Sequence, residues 1–212
     1  MIEFKTKHLK TYTLYLVLFI STLSAQNKQV IILGEDFDGM SSIKWPLQND
    51  ATVSSNIKND FYNIDIKDAE SYGCFSTAAK INEKGDYTIN TKIAAVKLTG
   101  TESLYGLVWG AKAKDENFLF LINPAKKIYA IYKYAGGKLT PIFAWTKCEK
   151  IKNDTSPNEL RITKMSGNWF FSINGADLKK TPIQPFFGTS LGIYTIGKIN
   201  IKVDNLYVSS EK

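Results

Sequence analysis

Apolar and polar residues alternate with a period of two along most of this chain. Residues 61–66 alternate in this way, and so do residues 86–93, in which Tyr87, Ile89 and Ile93 share one face. Such alternation predicts β-strands with one buried face and one exposed face. No amphipathic pattern with helical spacing extends beyond about two turns. The pattern therefore predicts an all-β protein.

Three segments in the middle of the chain are apolar or aromatic on both faces: residues 103–110, 117–123 and 127–134. We expect them to be central strands, because one face of such a strand packs into the core of a sandwich. The other face must be covered or must bind something. A functional surface is therefore expected on these strands.

Short connections with turn chemistry separate the periodic segments. Hairpin turns are predicted at residues 123–126, 135–138, 165–168 and 174–176. Pro182 and Pro185 are expected to flank an irregular crossing, because proline cannot donate to a β-ladder. About a dozen short strands joined in this way predict a two-sheet antiparallel β-sandwich or jelly roll.

The start of the chain has the pattern of a signal peptide. Three lysines lie within the first ten residues, and the apolar run at residues 14–23 is too short to span a bilayer comfortably. Ser24 and Ala25 are small, so we predict a signal peptide at 1–25 with cleavage before Gln26. An uncleaved N-terminal anchor is the alternative. No cysteine lies near the cleavage point, which argues against a lipid-anchored lipoprotein.

Removal of the leader leaves about 187 residues (212 minus 25), the size of one ordinary domain. We expect residues 26–212 to form a single β-sandwich domain with its core at 34–208, exported to the periplasm or the exterior of a bacterial cell. No later segment is apolar enough to cross a membrane, so no transmembrane span is expected after leader cleavage.

The net charge predicts no nucleic-acid partner. The leader carries three lysines and one glutamate, so the charge of +7 falls to +5 in the mature chain. The remaining lysines are scattered over many strands and turns without an arginine-rich stripe. A nucleic-acid interface would need a clustered basic face.

The only histidine, His8, lies in the predicted leader. The mature chain therefore lacks Ser-His-Asp and Cys-His machinery, histidine general bases and histidine-ligated metal sites. Carboxylate chemistry, oxygen-ligated metals or no chemistry at all remain. The two cysteines, Cys74 and Cys148, both fall in predicted strands. In an exported protein they are compatible with one disulfide, and equally with two separate buried thiols.

Several short segments resemble strands of the concanavalin A-like lectin/glucanase superfamily. They are an opening strand at 34–39, a central hairpin at 105–110 and 117–120, and closing strands at 171–175 and 203–208. The resemblance spans residues 34–208, and it is nearest to secreted bacterial domains described as family-16-glycosidase-like or keto-disaccharide-hydrolase-like. It implies a concanavalin A-like jelly roll, a fold that serves both sugar-binding modules and sugar-cleaving enzymes.

The resemblance does not extend to a catalytic motif. Laminarinase-like members of the superfamily place carboxylates on one strand as Glu-x-Asp-x-x-Glu, and this string does not occur here. The nearest substitute is Asp65, Asp68 and Glu70, whose spacing is wrong and which runs into a polar loop. We therefore assign no catalytic residue, and the sequence favours a protein that is not an enzyme.

Aromatic residues are the main functional candidates. A ring on a sheet surface gives the apolar face of a sugar a flat and rigid partner. Candidate stacking residues are Tyr105, Trp109, Tyr132, Tyr134 and Trp145, and candidate hydrogen-bonding residues are Asn117, Asn123 and Lys133. Each ring is also compatible with a place in the core, and each polar residue with an edge or turn.

Asp36, Asp38 and Asp204 form a candidate calcium site. The first and last strands of such a sandwich often lie side by side, which would bring these carboxylates together, and calcium prefers several oxygen ligands. The alternative is that the aspartates cap strand ends by accepting nearby backbone hydrogen bonds. Apart from calcium, the sequence predicts no cofactor.

Three functions remain open at this stage. The first is a secreted carbohydrate-binding, lectin-like domain that binds glycans by aromatic stacking on a concave sheet. The second is a glycoside hydrolase or keto-sugar-cleaving enzyme of the same superfamily that uses Asp or Glu. The third is a cell-envelope adhesion module that contacts protein, for which a large flat apolar patch would be the sign. The glycan and the oligomeric state are not predicted.

Overall fold

The computed structural model describes residues 29–98 and 101–211. The predicted signal peptide, residues 1–25, lies outside them. The described residues form strands joined by turns and bends. No helix in this part of the chain has the length and hydropathy that a membrane crossing requires.

Fifteen strands make up the described fold. In chain order they are β1 (Gln29–Glu35), β2 (Gln48–Asn49), β3 (Val53–Lys58), β4 (Phe61–Ile66), β5 (Tyr72–Ala78), β6 (Tyr87–Leu98), β7 (Leu104–Ala113), β8 (Glu116–Asn123), β9 (Ile128–Ala135), β10 (Lys138–Lys147), β11 (Asn158–Met165), β12 (Asn168–Ile173), β13 (Ala176–Pro182), β14 (Ser190–Ile196) and β15 (Ile199–Glu211).

The strands form two antiparallel sheets, which confirms the predicted all-β sandwich. The larger sheet has nine strands in the order β13-β12-β11-β6-β15-β4-β3-β2, with β1 also paired to β15. The smaller sheet has six strands in the order β10-β9-β8-β7-β14-β5. The three segments expected to be central strands are β7, β8 and β9, all in the interior of the smaller sheet.

The first and last described strands lie side by side in the larger sheet, as predicted. β1 pairs with β15 from Gln29 opposite Glu211 to Glu35 opposite Leu206. The opening strand was expected at residues 34–39 and instead ends at Glu35. Residues 36–39 leave the sheet, because Phe37 adopts a left-handed backbone conformation with φ of 57°.

Aromatic rings from both sheets fill the space between them. Trp109 on β7 contacts Trp169 on β12 edge to face, with ring centroids 5.5 Å apart, and Phe118 lies 5.0 Å from the same Trp169. All three side chains are fully buried. Burial of large rings contributes strongly to stability and edge-to-face pairs add to it, so this cluster holds the two sheets together.

A buried carboxylate anchors the chain where it leaves β1. Glu35 is 1% exposed, and its oxygens accept hydrogen bonds from the Phe37 amide at 2.9 Å and from Trp45 Nε1 at 3.0 Å. The rings of Phe37 and Trp45 both pack against Tyr62 in the core. Glu35 therefore holds the segment at residues 36–47 against the end of β1 through these two hydrogen bonds. The rings of Phe37 and Trp45 anchor the same segment in the core.

Asn158 positions the loop that precedes β11. Its Nδ2 donates to the Tyr105 hydroxyl and to the Lys152 carbonyl, both at 2.9 Å. Its Oδ1 accepts from the Lys152 amide at 2.9 Å and from Asn174 Nδ2 at 2.8 Å. Burial raises the pKa of Tyr105 above its ordinary value, so this phenol stays neutral. Residues 148–157 are thereby tied to the core through one amide group.

Cys74 and Cys148 are both free thiols, which corrects the possible disulfide. Cys74 lies on β5, and Cys148 directly follows β10. These strands are the two opposite edges of the smaller sheet, five strand spacings apart, which is about 24 Å. A disulfide needs Cα atoms within about 7 Å of one another. The sheet order therefore keeps the two thiols apart.

Candidate functional site

The side of the smaller sheet that faces away from the larger sheet is apolar. We call it the outer face. Val108, Leu119, Leu121 and Tyr194 form a buried apolar cluster there, separate from the main core. Along β7, the residues on either side of Val108 are Leu107 and Trp109, which belong to the core. The prediction that these central strands are apolar on both faces is therefore confirmed.

Aromatic pairs lie on both sides of this apolar floor. Tyr72 and Tyr194 stack with ring centroids 6.0 Å apart and an angle of 18° between the rings. On the other side, Tyr132 and Trp145 meet edge to face at 6.1 Å. Tyr72 is 46% exposed and Trp145 39% exposed, while Tyr132 and Tyr134 are half-buried. The outer face therefore presents accessible rings across most of the sheet width.

Two positions on the outer face, on β7 and β14, carry no side chain. Gly106 on β7 lies opposite Tyr194, and Gly192 on β14 lies opposite Val108. A Cβ atom at Gly106 would come within 1.8 Å of the Phe120 carbonyl oxygen, and one at Gly192 within 2.0 Å of a neighbouring carbonyl. Neither position therefore admits a side chain. β9 and β14 are three strand spacings apart, so the rings of Tyr132 and Tyr194 belong to strands separated by about 14 Å.

Tyr105 and Trp109 share a strand face, as predicted, but this face points into the core. Both side chains are 0% exposed. Trp109 stacks on Phe118 at 5.5 Å, and the Tyr105 hydroxyl accepts the bond from Asn158. The assignment of these two rings to ligand binding is therefore corrected. Alternation shows which residues share a face, whereas the docking of the two sheets decides which face is buried.

Asn123 is a turn residue. Its Nδ2 donates to the Thr101 carbonyl at 2.7 Å and its Oδ1 accepts from the Lys126 amide at 3.0 Å, so both amide groups have partners within the protein. Its side chain is 2% exposed. The expectation that Asn123 binds a ligand is therefore corrected, because both polar atoms of its side chain are already bonded to backbone groups of the protein.

Asn117 differs from Asn123 in that its side-chain oxygen has no hydrogen-bond partner. Its Nδ2 donates to the carbonyls of Ala113 and Lys114, at 3.1 and 2.9 Å, and so closes the hairpin between β7 and β8. Its Oδ1 is buried without a hydrogen-bond partner. Asn117 pairs with Tyr134 across β8 and β9, so this acceptor belongs to a residue on the outer face.

Lys133 lies on the opposite face of β9 from Tyr132 and Tyr134. Its Nζ is 5.5 Å from the centroid of the Phe187 ring, at the margin of the main core. The structure thus brings Tyr132, Tyr134 and Trp145 together on the outer face and leaves Lys133 outside that group. Tyr72 was missed from the sequence, although the alternation of Tyr72 with Phe75 on β5 carried a signal for an outward ring.

Two phenols of the outer face, those of Tyr194 and Tyr132, have raised pKa values and stay neutral. Burial is the main cause that raises the pKa of Tyr194, and the nearby Cys74, Tyr72 and Tyr134 add to it. Burial also raises the pKa of Tyr132. A neutral phenol both donates and accepts hydrogen bonds, so these hydroxyls suit a neutral, hydroxyl-bearing ligand.

No protein-family model matches this sequence, and no curated protein matches it. Solved structures do match. The CBM2 module of the evolved Dit of Lactobacillus casei BL23 phage J-1 superposes with a TM-score of 0.62 at 12% identity, covering 87% of this chain and 97% of that chain. The Emp47p carbohydrate recognition domain gives 0.63 at 11%, covering 89% and 100%.

A GH16 structure matches as well. A GH16 protein from the mixed-linkage glucan locus of Bacteroides ovatus, solved with a G4G4G3G product, gives a TM-score of 0.57 at 12% identity, covering 84% of this chain and 100% of that chain. The chain has a concanavalin A-like fold. At these identities the likeness establishes the fold, and the function must be argued from the site.

The smaller sheet of this concanavalin A-like sandwich carries a single carboxylate, Glu116. Glu116 forms an ion pair with Lys112 at 3.2 Å at the end of the β7–β8 hairpin. Glycoside hydrolysis requires two carboxyl groups about 5 to 9 Å apart on either side of the scissile bond. The six strands therefore offer no such pair.

The three aspartates proposed for calcium form no metal site. Asp36 Oδ1 accepts a hydrogen bond from the Tyr207 hydroxyl, and this bond, with burial and the charges of Asp36, Asp204 and Asp38, raises the pKa of Tyr207 to about 12. Asp38 Oδ1 accepts from the Met40 amide at 2.9 Å. Within the described ranges, no group of three or more His, Cys, Asp or Glu residues is arranged to hold a metal ion.

Proposed function

We propose that this protein is a carbohydrate-binding domain whose outer face stacks against sugar rings. The observation that carries the proposal is the set of accessible rings on the smaller sheet, Tyr72, Tyr132, Tyr134 and Trp145, placed around a floor without large polar groups. The concanavalin A-like fold, shared with carbohydrate-binding modules and a carbohydrate recognition domain, supports it.

The chemistry of the face fits a sugar better than a charged ligand. Sugars present apolar C–H surfaces that pack on aromatic rings, while their hydroxyls need a few placed hydrogen-bonding groups. The phenol of the half-buried Tyr132 is such a group, because burial raises its pKa and keeps it neutral. We therefore infer a neutral glycan as the ligand of the outer face.

The binding is proposed to be non-catalytic and to take place outside the cytoplasm. The single carboxylate of the smaller sheet, Glu116, supports the first point, since it is paired with Lys112 at the edge of the face. The signal-peptide pattern at residues 1–25 supports the second. Release of reducing ends from a bound glycan would contradict the non-catalytic assignment.

A glycan panel tests the outer face. The exported form, residues 26–212, is screened on immobilised glycans, and the affinity for the best glycan is measured by calorimetry. Trp145→Ala and Tyr132→Ala are each expected to weaken binding about tenfold, because each removes a stacking partner worth about 1.4 kcal/mol. Phe61→Ala is the matched control, since this half-buried ring lies on the larger sheet beside Lys202.

Two results would overturn the proposal. One is the absence of binding to every glycan of the panel. The other is unchanged affinity in both variants while circular dichroism shows that they are folded. Capture of a protein partner through Trp145 and Tyr132, without glycan binding, would instead favour the adhesion function.

A further inference from the structure

We propose a second saccharide-binding site on the opposite side of the sandwich, on the larger sheet. A depression of about 470 Å³ lies there, lined by Gln29, Ile31, Thr88, Asn90, Arg161, Thr163, Tyr207 and Ser209. We call it the polar groove. Its volume falls within the range of small-molecule sites. It lies on the other sheet from the rings of the outer face and shares no residue with them.

The strand register explains the shape of the groove. One row across β15, β6 and β11 consists of Tyr207, Asn90 and Arg161, and the adjacent row consists of Ser209, Thr88 and Thr163. Paired residues on neighbouring strands point to the same side of a sheet. The longest side chains, Tyr207 and Arg161, therefore stand two strand spacings apart, about 10 Å. Short side chains form the floor between them.

An unpartnered acceptor lies in this groove. The Oδ1 of Asn90 is buried and has no hydrogen-bond partner. Buried polar groups nearly always have a partner, so this oxygen is available to accept a hydrogen bond from a ligand that enters the groove. The neighbouring groups have partners already: the Tyr207 hydroxyl donates to Asp36, and Arg161 Nη2 donates to Glu159 at 2.6 Å.

Apart from Ile31 and Arg161, the side chains that line the groove are polar and uncharged, and together with one apolar surface they suit a neutral, hydroxyl-rich ligand. The hydroxyls of Thr88 and Thr163 lie 3.3 Å apart, and Gln29 Nε2 donates to the Ser209 hydroxyl at 2.7 Å. The charge of Arg161 is compensated by Glu159, so the groove has little net attraction for an anion. A saccharide hydroxyl supplies the donor that Asn90 Oδ1 lacks, while the surrounding hydroxyls accept or donate further bonds.

Two sites on opposite sheets have a functional consequence. One molecule would link two glycan chains, and a polymer carrying repeated sites would be bound more tightly than its fragments. This consequence depends on the outer face as well, whereas the polar groove itself is tested independently of it.

Nuclear magnetic resonance of isotopically labelled protein tests the polar groove. The probes are neutral tetrasaccharides derived from β-glucan, mannan and galactan, added at millimolar concentration. We expect at least one probe to shift the side-chain amide of Asn90 and the backbone amides of Thr88 and Arg161. The same shifts are expected in Trp145→Ala, which leaves the groove intact. Asn90→Leu, of similar size, is expected to weaken binding in the groove at least tenfold.

Three results would overturn the inference. One is the absence of shifts at Asn90, Thr88 and Arg161 with every probe. Another is their disappearance in Trp145→Ala. The third is equal affinity in Asn90→Leu, with Thr163→Val as a second variant if Asn90→Leu does not fold. Shifts in the groove together with no binding at the outer face would leave this site standing and remove the proposed function of the aromatic rings.

Discussion

At the scale of single residues, the shape of the outer face depends on positions that carry no side chain. Gly106 and Gly192 lie on neighbouring strands, and at each of them the adjacent strand leaves no space for a Cβ atom. The obstacle is a backbone carbonyl held in the ladder, so a side chain there would have to separate two strands. The rings of Tyr72, Tyr132 and Tyr194 consequently lie on strands that flank or include positions without side chains.

Gly106→Ala is expected to destabilise the protein by about 3 kcal/mol, the upper end of the range for overpacking. The new methyl group would meet the Phe120 carbonyl oxygen, which cannot move without breaking the pairing of β7 and β8. Unfolding in urea, followed by tryptophan fluorescence, gives the free energy of unfolding.

Gly85→Ala is the matched control, because the nearest atom to its Cβ would be Asn82 Nδ2 at an ordinary 3.4 Å. We expect this variant to keep the free energy of unfolding within about 0.5 kcal/mol of the original. Equal effects of the two substitutions would show that the close approach of the strands at Gly106 does not set the cost.

Residue type by itself does not separate core rings from surface rings in this chain. Tyr105 and Tyr132 both lie on interior strands of the smaller sheet with apolar neighbours, yet Tyr105 is 0% exposed and Tyr132 belongs to the outer face. The buried phenol is distinguished by its bond from Asn158, a residue 53 positions away in the chain. A partner that distant is not visible in the local pattern.

At the scale of strands, most of the sandwich was predictable. The alternating segment at 61–66 is β4, and the hairpin turns at 123–126 and 135–138 connect β8 to β9 and β9 to β10. Turn chemistry and alternation are local properties, so one sequence suffices to find them. The opening strand was placed too late because its pairing with β15, which runs to Glu211, decides where it begins.

The arrangement of strands predicts that both cysteines remain reduced. Cys74 and Cys148 are attached to opposite edges of the smaller sheet, so the fold must open before they can meet. Alkylation in denaturant without reductant, followed by intact mass measurement, is expected to show two modified thiols. Native protein is expected to react slowly, because burial raises the pKa of Cys74 and Cys148 is only 8% exposed.

Cys74→Ser provides the control for the site of labelling, since the remaining modification must then fall on Cys148. A mass lower by two hydrogen atoms, with no alkylation before reduction, would mean that a Cys74–Cys148 bond forms, which contradicts the sheet order.

At the scale of the whole molecule, buried phenols link stability to alkaline pH. Burial raises the pKa of Tyr62 to about 12 and also raises the pKa values of Tyr87, Tyr105 and Tyr194. In the unfolded chain these groups ionise near pH 10. Their raised pKa values therefore contribute stability that is fully present below about pH 10 and is lost as pH rises through the folded-state values.

We expect cooperative alkaline unfolding between about pH 10 and 12, with tyrosinate absorbance appearing together with the loss of the β-sheet circular dichroism signal. Tyr105→Phe removes one buried titrating group, so we expect its alkaline unfolding transition to be less steep as a function of pH. Full tyrosine ionisation near pH 10 in a protein that stays folded would contradict the burial of these phenols.

The sequence alone determined the all-β class, the strand alternation and most hairpins, because each depends on neighbouring residues. The tertiary structure decided which side of each strand is buried, that Cys74 and Cys148 stay apart, and that Tyr72 and Tyr194 join Tyr132 and Trp145 on one face. These outcomes depend on sheet order and on how two sheets dock. The partners involved are tens of residues apart in the chain, and a period of two is the same whichever side faces the core.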